Sequence, residues 1–215
     1  MDDISDVYLT DYIPSIYTTP LSLHYKHNGK DRQGDVFAER NGVVIILYNV
    51  SKDALVLVKQ FRAPVYMQNI PETERHSQFD TMKYPVGLGI TLEFCAGLED
   101  KDIQTDKVAQ EEILEECGYE VPVDKLERIA NICNLSDTTG ARSTFYYCEV
   151  TEDMRVHGGG GVEGENIELV EMSVEDVVKY ASKSYVCSPM NFMFGLQWFL
   201  YNKYKKYFFF TVDHC

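Results

Sequence analysis

The run Glu111-Glu112-Ile113-Leu114-Glu115-Glu116-Cys117-Gly118-Tyr119 packs four carboxylates into six residues. On a helix each residue turns by about 100°, so Glu112 and Glu116 stand about 40° apart. They flank an apolar stripe of Ala109, Ile113 and Cys117, with Glu115 beside them. Like charges at i,i+4 repel, and carboxylates in a last turn also meet the negative end of the helix dipole. A bound divalent cation removes both penalties, because hard cations take carboxylate oxygens. The other reading of such a run is a solvated acidic face.

Other stretches carry groups suited to a phosphorylated substrate. Leu57-Val58-Lys59-Gln60-Phe61-Arg62 ends on Arg62, whose fork can meet a phosphate through two hydrogen bonds. Glu93, in Leu92-Glu93-Phe94-Cys95-Ala96-Gly97, is either a substrate contact or an ordinary strand-end glutamate. Arg142 is a further phosphate or base contact candidate. A glycine loop, Gly158–Gly161, precedes Glu163 and Glu165 and predicts a mobile segment able to close over a ligand.

Gly97 followed by Glu-Glu-x-x-Glu-Glu-x-Gly-Tyr resembles the Nudix box, with Gly97, Glu112, Ile113, Glu115, Glu116, Gly118 and Tyr119 at the family spacing. Two positions depart: Ile103 stands where the family has Glu, and Glu111 where it has Arg. Putting Arg back at 111 is therefore expected to raise activity or leave it unchanged. Leu92–Gly97 is similar to the Glu-Leu-Pro-Ala-Gly segment of the ADP-ribose and sugar-nucleotide branch, with Cys95 in place of proline. The resemblance implies that Glu112, Glu115, Glu116 and Glu165 bind Mg²⁺, with Mn²⁺ as substitute. It implies catalytic roles for Glu116 and Glu163, the latter taking a proton from the attacking water. Arg62, Glu93 and Arg142 would contact the substrate. That substrate would be a nucleoside diphosphate sugar split at its pyrophosphate, UDP-glucose first and ADP-ribose second. A degenerate Nudix domain that binds a nucleotide sugar or a partner protein without turnover is the rival.

These residues need elements to hold them. Val43–Val50 reads as a buried strand and Leu55–Phe61 as its hairpin partner. Ile90–Phe94, Leu126–Asn134, Thr144–Val150 and Ile167–Met172 read as further strands. Asp106–Cys117 predicts a helix with Thr105 as N-cap and Gly118 at the left-handed position beyond its end. Val174–Ser182 and Pro189–Tyr204 predict two more helices, the last of which packs on the sheet or lies on a membrane surface. Met67–Leu88 reads as a long functional loop. The order predicts a mixed sheet between helices; with the resemblance, this becomes a Nudix-type α/β/α sandwich with an N-terminal β extension.

In 215 residues the formal net charge is −14, which disfavours nucleic acid and requires a cation to mediate any phosphate chemistry. There is no export signal and no apolar run of membrane-spanning length, so a cytoplasmic protein with no membrane partner is expected. The six cysteines form no C-x-x-C pair and read as reduced thiols. Residues 1–40 are read as an extension used in dimerisation and 41–215 as the hydrolase domain. A hairpin turning at Asn28-Gly29 carries Leu21, Leu23 and Tyr25, and Tyr12, Ile13, Ile16 and Tyr17 precede it. An isolated hairpin cannot bury such groups, so a homodimer is expected, as relatives of this branch also imply.

Overall fold

Nearly every residue of β3 (Gly42–Asn49) is buried, because the strand sits in mid-sheet with helices over both faces. The computed structural model describes residues 4–15, 18–75, 78–162 and 165–204. Val43, Ile45 and Leu47 point to one core, together with Val56 and Val58 of β4 (Ala54–Phe61). Val44 and Ile46 point to the other, with Leu55 and Leu57. This two-residue alternation divides the molecule into an α/β/α sandwich, and the mixed sheet is the expected one.

The sheet forks, and the fork makes the site. β3 pairs with β4 only from Leu47 to Asn49. Its first half, Gly42–Ile45, pairs instead with β6 (Cys95–Leu98). The far end of β4 turns to β5 (Ile90–Glu93). On its other edge β3 runs parallel to β8 (Arg142–Val150), which carries β7 (Glu127–Cys133). β9 (Ile167–Ser173) lies antiparallel along β4.

Helix α1 (Ala63–Gln68) follows β4 directly. Helix α2 (Thr105–Glu112) covers the first core with Val108 and Ala109, and a π-helical turn over Ile113–Cys117 continues it. α3 (Val174–Ala181) and α4 (Met190–Asn202) cover the second core, where Phe192, Leu196 and Phe199 are buried. Packing on the sheet is thus the reading that holds for the last helix. No helix among the described residues is long and apolar enough to cross a membrane.

Two local expectations change. Gln104, not Thr105, is the N-cap of α2, and no side chain caps that end. The stretch from Met67 to Leu88 is not a plain loop: Tyr66, Ile70 and Phe79 bury one another in a small third core, and Val7 packs on it. Its aperiodic sequence hid this, because aromatic residues far apart in the chain make the core.

The hairpin of β1 (Thr18–His27) and β2 (Lys30–Glu39) turns at Asn28-Gly29, both with positive φ. It forms a sheet of its own. Tyr12, Ile13, Leu21, Leu23 and Tyr25 are each at least half exposed; Ile16 and Tyr17 lie outside the described residues.

Candidate active site

A cavity of about 820 Å³ opens at the fork of the sheet. Gln60, Arg62 and Glu93 line it from the β4–β5 arm, Ala96 and Gly97 from β6, and Glu112, Glu115 and Glu116 from α2 and its π turn. Glu165 closes it from the loop before β9. The predicted acidic cluster therefore meets on one wall.

Glu116 and Glu112 have structural reasons for their places. Glu116 is 4% exposed and accepts a hydrogen bond from the Ala96 N–H at 3.0 Å. Cys95, on the same strand as Ala96, is buried. Glu112 lies over Gly97, where any Cβ would fall on its Oε1, so a side chain at 97 would have to move the Glu112 carboxylate. Burial, then mutual repulsion, pushes Glu112 up to about 7. Burial, opposed by the Ala96 N–H, pushes Glu116 up to about 8.

The glycine loop is docked rather than free. Gly160 N–H donates to the Glu116 carbonyl at 2.8 Å and Gly161 N–H to that of Glu115 at 3.1 Å. These satisfy carbonyls that the helix end leaves open. Gly118 (φ 75°) ends the helix as predicted, and Gly159 (φ 69°) rests so closely on Glu116 that a Cβ would strike its carbonyl. The docked loop brings Glu165 to the cavity, where its Oε2 accepts from Val162 N–H at 3.0 Å. Glu163, the sequence candidate for general base, lies outside the described residues. Among the described residues no three of His, Cys, Asp and Glu gather into a preformed metal cage.

Arg62 and Glu93 meet each other. Arg62 Nε donates to Glu93 Oε1 at 2.8 Å and its terminal nitrogen to Oε2 at 2.6 Å. Thr91 and Gln60 also donate to Glu93, so this nearly buried carboxylate is fully partnered. The Arg62 side chain stays 45% exposed toward the cavity. Arg142 is not brought in: Ala141 and Ser143 line the cavity, strand alternation turns Arg142 away, and its guanidinium reaches Asn131 at 3.4 Å.

No family model matches the chain. Uridine diphosphate glucose pyrophosphatase NUDT14 of Bos taurus is 34% identical over 212 residues, spanning 93% of this chain and 95% of that protein. The Mus musculus protein of that name is 32% identical over 200 residues, spanning 86% and 89%. The chain belongs to the Nudix hydrolases. A GDP-mannose pyrophosphatase of Pectobacterium atrosepticum is also similar, at 28% identity over 179 residues and 83% of each chain.

As a Nudix enzyme the chain shows contributions that its sequence did not announce. Lys101 lines the cavity and pairs with Glu111, one of the two departures from the box. Asn134 and Ser143 line it together, joined by a hydrogen bond of 2.7 Å, and Asn191 enters from the first turn of α4. Lys101 could have been found as a cation in an otherwise acidic stretch; Asn134, Ser143 and Asn191 carry no sequence signal.

Proposed function

We propose that the protein hydrolyses the pyrophosphate bond of a nucleoside diphosphate sugar, UDP-glucose to UMP and glucose 1-phosphate before others, with ADP-ribose as second substrate. The observation that carries this is the cavity at the sheet fork, with carboxylates on one wall and an oriented arginine on another. Its volume of about 820 Å³ lies within the range of small-molecule sites, roughly 300–1,000 Å³. The NUDT14 relatives' name favours UDP-glucose, and the bacterial relatives keep GDP-mannose in the comparison.

The donor set fits a hard divalent cation, Mg²⁺ or Mn²⁺. Glu116 is buried and Glu112 half-buried beside it, at a cost that a cation offsets, and all four candidate groups offer carboxylate oxygen. Glu112, Glu115, Glu116 and Glu165 would hold it. When bound, such a cation neutralises diphosphate and makes water a stronger nucleophile. Glu93 fixes the Arg62 fork, and the donors of that fork not used by Glu93 have no other partner among the described residues and could take a substrate phosphate. Ala96 N–H orients Glu116. Glu163 is the proposed base, on the resemblance.

The chain is proposed to act as a homodimer in which residues 1–40 form the pairing extension and 41–215 the hydrolase domain, in the cytoplasm. Leu21, Leu23 and Tyr25 share one face of the hairpin with Val36, and among the described residues no core covers that face.

The test is product release from UDP-glucose, GDP-mannose and ADP-ribose, with and without Mg²⁺. UMP and glucose 1-phosphate formed only with the cation is the expected result. Tight nucleotide-sugar binding without turnover at any metal concentration would establish the non-catalytic rival instead.

A further inference from the structure

Carboxylates outnumber cations eight to three on the cavity wall, and each cation is already engaged. Arg62 is forked onto Glu93, and Arg40 donates to the Asp100 carbonyl at 3.0 Å. Lys101 Nζ is bonded to Glu111. Of these three contacts, only the last ends on the helix that bears the acidic cluster. Lys101 and Glu111 are both about half exposed, so neither is locked by packing. A lysine stem is flexible, and its ammonium is a compact point charge that any nearby carboxylate can take. Lys101 already acts electrostatically on Glu112 and has Glu115 acting on it. Released from Glu111, it would compete with a metal ion for those oxygens.

We propose that Glu111 is a positioning residue: it holds the Lys101 ammonium off Glu112 and Glu115 and keeps them open to a divalent cation. The inference rests on the metal reading above. It also reverses the expectation for Glu111→Arg. That change would free Lys101 and add a second cation beside it, so it weakens metal binding rather than leaving activity intact.

The experiment is Mn²⁺ binding to the substrate-free full chain, read from the electron paramagnetic resonance of free Mn²⁺. The Mn²⁺ dependence of UDP-glucose hydrolysis is measured alongside. Glu111→Gln is expected to raise the dissociation constant about threefold to fivefold, the scale of an exposed ion pair. Lys101→Gln should not raise it, and the double variant should behave as Lys101→Gln does. A pair that merely braces the loop to α2 gives another pattern: both single variants weaken binding, and the double variant is no better than Glu111→Gln. That pattern, or an unchanged Glu111→Gln, overturns the proposal. Wild-type protein that binds no Mn²⁺ overturns the metal reading itself, and the inference falls with it.

Discussion

A carboxylate 4% exposed, pressed near two others, is stable only with a proton or a cation. Glu116→Gln keeps an oxygen for the Ala96 N–H and removes the charge. It should abolish metal-dependent hydrolysis, while the metal-free protein melts at the same temperature or higher; near wild-type turnover would defeat the assignment of Glu116. The shifted groups also set a pH dependence. Glu112 and Glu116 rise from an ordinary 4.5 to about 7 and about 8, so the folded state binds protons that the unfolded state has lost. The contribution of these two groups to the stability of the metal-free protein is therefore fully present below about 4.5 and is lost as pH rises toward 8. Calorimetry should show Mg²⁺ raising the melting temperature more at pH 8 than at pH 5; an equal shift would contradict this. Gly97→Ala should displace Glu112 and cut activity at least tenfold, about 1.4 kcal/mol in the barrier, with little change in the circular dichroism spectrum.

The glycine loop and the π turn of α2 act as one element. The turn carries Glu115 and Glu116, and the loop caps their carbonyls while delivering Glu165. Positive φ is required at Gly159, Gly160 and Gly161 but not at Gly158, whose Cβ would meet open space. Gly159→Ala should therefore cost more than about 1 kcal/mol of stability and most of the activity, whereas Gly158→Ala costs little of either. Parallel thermal melts and rate assays on the two variants decide it: a loop valued only for flexibility would lose similarly from both.

At the scale of the molecule, the exposed face of the N-terminal hairpin carries the assembly prediction. Leu23 stands opposite Gly34, between Leu21 and Tyr25, at the centre of the apolar stripe. Leu23→Glu should convert a dimer into a monomer in light scattering at micromolar concentration, with the melting of the sandwich unchanged. A wild-type chain that is already monomeric there would remove the dimer from the proposal.

The acidic helix, the Gly118 terminator, the Asn28-Gly29 hairpin and the central strand were legible because each rests on local physics. Turn angle, positive φ and apolar run length act over a few residues. So was the cluster of Glu112, Glu115 and Glu116, which a single helix places together. Pairings across the chain were not legible. Arg62 and Glu93 each looked like a substrate contact, and antiparallel pairing of β4 with β5 ties them to each other. Arg142 looked equally suitable, but one step of strand parity turns it from the cavity while Ala141 and Ser143 face it. Glu111 looked like excess charge until the fold brought Lys101 to it. Composition and spacing set which groups are available; which of them share a wall depends on register and on chain crossings, and those are decided only when distant segments pack.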